Sequence, residues 1–498
     1  MTMIKTPFPL YFLSLSLLQD HFSIKGAEYI YNYIDTFRKE REQSDGKKYK
    51  VVIVEEKEYV DAFFLRDYAN YYAEAIARTN KMTQRLHFFL FYKEELEEFN
   101  KILLEALSTG DRNTIDMLNS LYIGFITIKP IPDEKGKKSV GKCFIKPYPS
   151  ASGRRLFIKC RNLNCSLGGI KLAINTIPFH QQDIAVGACA SATLWMAQFP
   201  INEYFPVPIH SLAEITHISS YPYRKAPLYP NKGLHIEEIN KYLLDLGLQF
   251  HTVELQVLHK EYKKLYGKGG TRFIINSLLH DAIRSYIEGG FPIIASLSLK
   301  RGRGFFKDVN EDLEWHAALI TGYRIENDEI VEIYMHDDGI CPYSRAYFGR
   351  KTLTIVNEWK TEHNYETTLH TLIIPVPPIL RFSITQLYEY LLSLLSREIE
   401  INFIPLLEDF KRHGWPTVRL LPVNRYKEEL LSIKIKKCMI KSGEKSSMEE
   451  ITKIEYLAKN SPKYLWILQF KEGYKRIKDI VIDATLSVPE ILATIHYV

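Results

Sequence analysis

Cysteine is scarce, since the chain of 498 residues carries only six. That number is too small for the disulfide framework of a small secreted domain, and it favours a reducing compartment. Cys160 and Cys165 lie close together, but no second Cys or His pair follows at the spacing of a zinc ligand set. The sequence therefore predicts two structural thiols at these positions, no metal site and no cofactor.

Long apolar runs are also missing. The nearest candidate, FPLYFLSLSLL (8–18), is too short to cross a bilayer, which takes about 20 apolar residues. No cleavage site with small residues follows it, so a signal peptide is not indicated. We expect a first strand and helix in this part of the chain, a cytoplasmic protein, and no membrane partner.

A large excess of charge of one sign is absent as well. The 65 basic and 59 acidic residues leave a net charge of +6, which is too small for this length to indicate a nucleic-acid partner. No internal repeat is present. With 46% hydrophobic and 25% charged residues, the composition is that of a soluble globular protein. The length predicts two or three domains.

The first stretch that carries chemistry is QQDIAVGACASATLWMA (181–197). It begins with polar residues, turns at Gly187 and continues into small and then large apolar residues, which predicts a loop leading into a buried helix. Cys189 falls in the first turn of that helix. The partial positive charge and free N–H groups of a helix N-terminus favour the thiolate, which is the nucleophilic form of cysteine. A small cysteine used only for packing is the alternative.

A second stretch adds a histidine and a pair of carboxylates. The sequence predicts three buried strands, FPIIASLSL (291–299), WHAALITGY (315–323) and IVEIYM (330–335). The last two are joined by a short turn, so the start of one lies beside the end of the other in a sheet. His316 is near the start of its strand, and Asp337 and Asp338 follow the end of the next one. With the cysteine, these residues supply the nucleophile, the base and the orienting group of thiol catalysis.

These two stretches resemble papain-like cysteine peptidases over about residues 180–350. Gln-x-Asp before Cys-Ala-Ser-Ala is similar to their nucleophile region, and WHAALITGY with IYMHDDGICPYSRA is similar to their histidine and aspartate strands. The closest likeness is to the bacterial peptidases that trim double-glycine leader peptides, and to their soluble relatives. The resemblance implies Cys189 as nucleophile, His316 as general base and acid, and Asp337 as the residue that orients His316. Asp338 would then begin the turn.

The resemblance also implies an oxyanion hole made from a glutamine side chain and the Cys189 N–H. In the family the glutamine stands six residues before the cysteine, and here that position is Asp183. Gln182 and Gln181 stand seven and eight residues before Cys189. We take Gln182 as the oxyanion residue because it needs the smaller shift. Gln181, or a hole built from backbone alone, is the alternative.

Three regions are predicted: an N-terminal α/β region with a β-rich end (1–165), a papain-like domain (166–375) and a C-terminal α/β module (376–498). The predicted fold class is α+β. In the central domain the nucleophile helix would pack on an antiparallel sheet that carries His316 and Asp337. The loop KRGRGFFKDVNEDLE (300–314) directly precedes His316 and is a candidate lid or substrate rim, with an ordinary surface loop as the alternative.

We therefore expect a cysteine peptidase, a thiol hydrolase that cleaves peptide or isopeptide bonds of a protein or peptide substrate. The extra terminal regions indicate regulation, as in a bacterial defence or toxin-like role, and the oligomeric state stays open. The same three groups also serve transamidation or acyl transfer. An alternative of another class is a papain-like module that binds without catalysis, which the displaced glutamine favours.

Overall fold

The computed structural model describes residues 6–73, 80–149, 154–158, 161–183, 186, 188–220, 233–301, 313–361, 364–396, 404–442 and 447–498. Helices and strands are both abundant in it, so the predicted α+β class is confirmed. The predicted turn at Gly187, the thiol of Cys160 and most of the candidate lid (residues 302–312) lie outside the described residues.

Helices and strands are interspersed along the described parts of the chain. The helices are α1 (Ala27–Asp45), α2 (Ala62–Asp67), α3 (Leu96–Thr109), α4 (Arg112–Leu121), α5 (Cys189–Tyr204), α6 (Leu212–Ser220), α7 (Ile236–Asp245), α8 (Leu255–Gly289), α9 (Glu358–Thr361), α10 (Ile384–Ser396), α11 (Ile404–His413), α12 (Val423–Leu431) and α13 (Lys453–Ala458). The strands are β1 (Leu10–Phe12), β2 (Lys50–Tyr59), β3 (Thr83–Phe91), β4 (Tyr122–Pro132), β5 (Lys138–Ile145), β6 (Arg154–Phe157), β7 (Arg161–Leu167), β8 (Ile170–Thr176), β9 (Gln249–Glu254), β10 (Ile293–Arg301), β11 (Leu313–Glu326), β12 (Glu329–His336), β13 (Ser344–Phe348), β14 (Thr354–Val356), β15 (Tyr365–Val376), β16 (Thr417–Pro422), β17 (Ile435–Ser442), β18 (Ser447–Ile451), β19 (Tyr464–Glu472), β20 (Lys475–Asp483) and β21 (Ile491–Tyr497).

The first sheet is antiparallel and follows chain order from β1 to β5. Successive residues of a pleated strand face opposite sides, so Val51 and Ile53 pack in one core while Val52 and Val54 pack in another. Helix α1 covers the first side, and α3, α4 and the hairpin β7–β8 cover the second. Both faces are buried, which is why β2 and β3 each contain an unbroken apolar run, VVIV (51–54) and FFLF (88–91).

The central sheet closes on itself. Strands β10 to β15 form an antiparallel ring, because β10 pairs with β11 on one side and with β15 on the other. Strand β9 adds to the ring beside β15, and β6 adds beside β11. Since β6 comes from the predicted N-terminal region, and the boundary predicted after residue 165 falls inside β7, the first and central regions share strand pairing as well as packing.

The hairpin β11–β12 positions the predicted histidine and aspartate. Its turn residues Asn327 and Asp328 have φ of 49° and 70°, the left-handed conformation that matches the twist of the flanking strands. The register places Leu319 opposite His336, the last residue of β12. His316, three residues before Leu319, is therefore beside the residues that directly follow β12.

The third sheet is formed by C-terminal strands in the order β16-β19-β20-β21-β17-β18. The stretches YLWILQF (464–470) and DIVIDATL (479–486) predict a terminal strand pair, and β19 and β20 do pair along their length. Helix α8 fixes this sheet to the centre, where the Ser285 hydroxyl donates to the Val418 carbonyl over 2.9 Å. One continuous apolar core contains residues of all three sheets, such as Ile53, Leu319 and Trp466.

The predicted first strand is present as β1, which pairs with β2. Among the described helices, none combines the length and the apolar character that a membrane crossing requires.

Candidate active site

Cys189 is the first residue of α5, preceded by Ala188 in an extended conformation. The Ser191 hydroxyl accepts a hydrogen bond from the Ala188 N–H over 3.2 Å and so closes the first turn. Most of the helix after it is buried, including Leu194 and Trp195. A buried helix holds its first residue in a fixed place, and Cys189 remains partly exposed there.

His316 and Asp337 form the pair that the sequence predicts. His316 Nε2 donates to Asp337 Oδ1 over 2.9 Å. His316 is only 8% exposed and Asp337 is fully buried, so water competes little for this bond. The structure thus brings together the predicted base and the predicted orienting carboxylate.

Trp359 completes the surroundings of Asp337, and no sequence pattern indicated it. Its indole Nε1 donates to Asp337 Oδ2 over 2.8 Å, while the Gly339 N–H donates to Oδ1 over 3.0 Å. The Trp359 ring also lies edge-on to the His316 ring, with centroids 5.5 Å apart. A Cβ at Gly339 would be 2.6 Å from the Trp359 ring, so glycine is required where the indole reaches the carboxylate.

The charged form of His316 is stabilised within this arrangement. Burial disfavours the imidazolium, but the charge and the hydrogen bond of Asp337 lead the opposing influences, the charge of Asp338 adds to them, and the pKa of His316 is raised well above its ordinary value. Hydrogen bonding with the Cys189 side chain acts in the same direction. Because Nε2 is engaged by Asp337, Nδ1 is the ring nitrogen left for proton exchange with Cys189.

Asp338 is the second carboxylate near His316, at 3.7 Å between its Oδ1 and His316 Nε2. This distance is too long for a hydrogen bond. Asp338 is fully buried, and neither of its oxygens has a hydrogen-bond partner within the described part of the chain. Burial raises the pKa of Asp338 to about 7, although the charge of His316 opposes the shift. The geometry therefore distinguishes the two aspartates, and only Asp337 holds the histidine.

We expect Asp338→Asn to stabilise the protein more at about pH 8 than at about pH 5. The pKa of about 7 in the folded protein is above the value of about 4 in an unfolded chain. The folded protein consequently binds more protons between these two values, and the wild type loses stability as the pH rises through them. The side-chain amide in Asp338→Asn does not titrate, so the variant does not lose stability in this pH range. Urea unfolding at both pH values measures the difference, with the exposed Asp116→Asn as control. An equal effect at both pH values would contradict a buried, unpaired carboxylate.

Gln181 is buried and bonded to the first region of the chain. Its Oε1 accepts from the Val140 N–H over 2.9 Å, and its Nε2 donates to the Lys25 carbonyl over 3.3 Å. Both ends of the amide are thus engaged away from His316 and Asp337. This leaves Gln182 as the glutamine open to the oxyanion role.

Gln182 is half-buried and lies near His316 and Asp337, because its backbone N–H donates to the carbonyl of Asp338, the residue after Asp337, over 3.3 Å. Asp183 occupies the position where the family has its glutamine, but its side chain is bonded to other groups of the protein. It forms an ion pair of 2.7 Å with Lys129, and both side chains are 2% exposed. Its other oxygen accepts from the Val186 N–H over 2.8 Å. Asp183 therefore anchors the loop before Cys189 to the first sheet.

Cys189 and His316 line one cavity of about 730 Å³, a volume typical of small-ligand sites. A metal ion is the other occupant to consider near His316. Among the described residues, His316, Asp337 and Asp338 are the group with ligand atoms within 4.8 Å of one another. Asp337 already accepts three hydrogen bonds, one from His316 itself. These bonds leave Asp337 fewer lone pairs for a metal ion.

No protein-family model matches this chain, and no curated protein matches it in a sequence comparison.

Proposed function

We propose that this protein is a cysteine peptidase with a papain-like central domain, acting on peptide or isopeptide bonds of a protein or peptide substrate in the cytoplasm. The observation that carries the proposal is the bond of 2.9 Å between His316 and Asp337 beside a cavity that Cys189 and His316 share. The packing of α5 on the ring supports the papain-like assignment, since the Thr193 hydroxyl donates to the Ala317 carbonyl over 3.1 Å.

The proposed reaction has two steps. The Cys189 thiolate attacks the carbonyl carbon, a C–S bond forms, and His316 delivers a proton to the nitrogen as the C–N bond breaks. Water then attacks the acyl-enzyme, His316 takes up the proton of that water, and the C–S bond breaks to restore the thiolate. Asp337 fixes the ring with its proton on Nε2 and stabilises the imidazolium throughout.

Gln182→Ala is expected to lower the turnover number by on the order of a hundredfold, because a side-chain donor to the oxyanion contributes about that much. Alkylation by iodoacetamide develops no oxyanion, so its rate should stay near that of the wild type. The matched control is Gln249→Ala, an exposed glutamine on β9. Unchanged turnover in Gln182→Ala would mean that the hole is made from backbone or is absent.

The proposal is tested by the rate at which iodoacetamide alkylates each cysteine, followed by mass spectrometry. Burial by itself slows the alkylation of the other described cysteines, so they are poor references for Cys189. The reference is therefore N-acetylcysteine under the same conditions. An ion pair of Cys189 with His316 should keep the reaction fast below neutral pH, where a free thiol is protonated. We expect Cys189 to exceed the reference at least tenfold there.

A slow Cys189 is the result that overturns the peptidase proposal. It would favour the papain-like binding module, for which the ion pair of Asp183 at the family's glutamine position is the supporting observation. Fast alkylation together with transfer of the acyl group to an added amine, in preference to water, would favour the acyl transferase.

A further inference from the structure

A second cavity lies between the central ring and the third sheet. Its volume is about 580 Å³, and it shares no described lining residue with the cavity of Cys189 and His316. Strand β6 and the hairpin β11–β12 contribute lining residues from the ring, and strand β16 and the hairpin β19–β20 contribute them from the third sheet. The proposed peptidase chemistry therefore does not use this cavity.

Positive charge predominates in the lining of this second cavity. Four of its lining side chains are cationic, whereas Asp328 is the acidic one among the described lining residues, which leaves a net charge of +3. The side chains of Arg419, Lys471 and Arg476 are only 12%, 18% and 14% exposed. Water and salt therefore screen these charges only in part. Such a lining attracts an anion.

The carboxylates that hold two of the guanidinium groups are not part of the lining. Arg419 donates to Glu288 over 2.6 Å and to both oxygens of Glu429 over 2.8 Å. Arg476 donates to Asp479 Oδ1 over 2.9 Å. None of these three carboxylates lines the cavity. A guanidinium has more N–H donors than these bonds use, so an anion in the cavity would meet donors that are already fixed in place.

The positive charge of the lining is balanced only in part. Lys471 forms an ion pair with Asp328. Burial nevertheless lowers the pKa of Lys471, and the positive charges of Arg284 and Arg419 add to this effect. Arg154 is exposed, and its side chain makes no hydrogen bond or ion pair within the described part of the chain. A bound anion would reduce the repulsion among these cations.

An exposed aromatic ring lies at the same cavity. Tyr474 is 78% exposed and lines the cavity, and its hydroxyl donates to Asn327 Oδ1 over 3.1 Å. This bond holds the ring beside the cationic side chains. Ile325 adds a half-buried apolar side chain from β11. An aromatic side chain next to a cationic surface suits a ligand that joins a planar base to phosphate groups, because bases stack on such rings.

We infer that this cavity binds a nucleoside polyphosphate, with the phosphates among the four cationic side chains and the base on the ring of Tyr474. Arginine donates to phosphate in a bidentate way, and a lining of net charge +3 suits several phosphates better than a single carboxylate. The volume of about 580 Å³ is in the range of cavities that hold small organic ligands. The ligand would contact both the ring and the third sheet. The inference does not depend on the proposed peptidase function.

The test is isothermal titration calorimetry of the full chain with ATP, tripolyphosphate and adenosine, at about 0.15 M salt. We expect ATP to bind with a Kd of about 10 µM or lower, an affinity within reach of a ligand of its size. Tripolyphosphate should bind about tenfold more weakly, because it has no base to stack on Tyr474. Adenosine lacks the phosphates and should give no measurable heat of binding.

Two exposed residues separate the phosphate contacts from the base contact. Arg154→Gln should weaken the binding of ATP and of tripolyphosphate by about tenfold, since it removes a charge-assisted contact to phosphate. Tyr474→Ala should weaken ATP to the level of tripolyphosphate and leave tripolyphosphate unchanged. Arg112→Gln is the matched control, because Arg112 is an exposed arginine of α4 outside the lining. It should change neither affinity.

A Kd above about 100 µM for both ATP and tripolyphosphate would overturn the site. Equal weakening by Arg112→Gln and Arg154→Gln would show attraction to the general surface charge and would also overturn it. Tripolyphosphate that binds as tightly as ATP would overturn the assignment to a nucleoside. Tighter binding of a single-stranded RNA than of ATP, weakened by Arg154→Gln, would assign the cavity to nucleic acid instead. Alkylation of Cys189 tests the peptidase separately.

Discussion

Cys189→Ala is expected to abolish peptide turnover and the fast phase of alkylation while the protein stays folded. The substitution removes one sulfur atom from a partly exposed position at the start of α5. The free energy of unfolding should therefore change by no more than about 1–2 kcal/mol. Turnover of a quenched peptide, alkylation kinetics and urea unfolding measure the three effects on one preparation.

Cys438→Ala is the matched control for this prediction. Cys438 is buried in the third sheet, where burial raises its pKa to about 11, so its thiol should alkylate slowly and contribute nothing to turnover. Residual turnover in Cys189→Ala would require another nucleophile. Loss of the fold in Cys189→Ala, with Cys438→Ala stable, would instead make Cys189 a structural residue.

Features that depend on neighbouring residues can be predicted from the sequence. The stretch SITQLYEYLLSLLSREI (383–399) predicts a helix with Ser383 as its N-cap. The Ser383 hydroxyl accepts from the Gln386 N–H over 3.2 Å, while the Gln386 amide oxygen accepts from the Ser383 N–H over 2.8 Å. This reciprocal pair is encoded within four residues. The stretch GLHIEEINKYLLDLGLQFHTVEL (233–255) likewise predicts a helix that ends near a glycine and then a strand. Helix α7 and strand β9 confirm both, with Gly247 at φ 77° as the turn requires.

The contact between His316 and Asp337 is predictable for a related reason. Their strands are consecutive and joined by a short turn, so antiparallel pairing brings the two residues together without knowledge of the rest of the fold. The closure of the ring is different, because the pairing of Ile294 with Ile373 joins strands distant in sequence. Nothing local in either strand specifies its partner there.

The two glutamines show the same limit at the site itself. Alternation along an extended chain predicts that only one of Gln181 and Gln182 faces the cleft, but it does not say which. Val140 and Lys25 hold the Gln181 amide, and both belong to a part of the chain that no local pattern connects to this loop. Trp359 gives no signal in the sequence for the same reason, since its bond to Asp337 depends on tertiary packing.

Asp337→Asn is expected to lower turnover by about 10³–10⁴-fold, with fold retained. An asparagine has one accepting oxygen, whereas the Asp337 carboxylate accepts from His316 and Gly339 at Oδ1 and from Trp359 at Oδ2. If the amide oxygen faces His316, the NH₂ group opposes the Trp359 donor. If the NH₂ group faces His316, it donates to Nε2 and moves the ring proton to Nδ1, the unproductive tautomer toward Cys189.

The pH dependence of alkylation gives a readout that a merely structural effect would not produce. Burial disfavours the imidazolium, but the charge and the hydrogen bond of Asp337 lead the opposing influences, and the pKa of His316 is well above its ordinary value. Without that charge the pKa of His316 falls, so the imidazolium that pairs with the Cys189 thiolate is lost at lower pH. The fast alkylation below neutral pH should therefore weaken in Asp337→Asn. Asp338→Asn should weaken it less, because Asp338 acts on His316 through its charge over 3.7 Å and makes no hydrogen bond to the ring. A larger effect for Asp338→Asn than for Asp337→Asn would mean that the two carboxylates have exchanged roles.

Trp359→Phe isolates the bond to Oδ2 of Asp337, the oxygen that His316 does not use, because it removes the indole donor and keeps an aromatic ring. In the wild type it breaks a buried hydrogen bond to a carboxylate, which should cost about 1–3 kcal/mol of the free energy of unfolding. In the Asp337→Asn background the same substitution removes a donor that already opposes the amide, so it should cost much less or be stabilising. Urea unfolding of the two single variants and the double variant measures this coupling. Equal costs in both backgrounds would show that the bond between Trp359 and Asp337 does not hold the carboxylate.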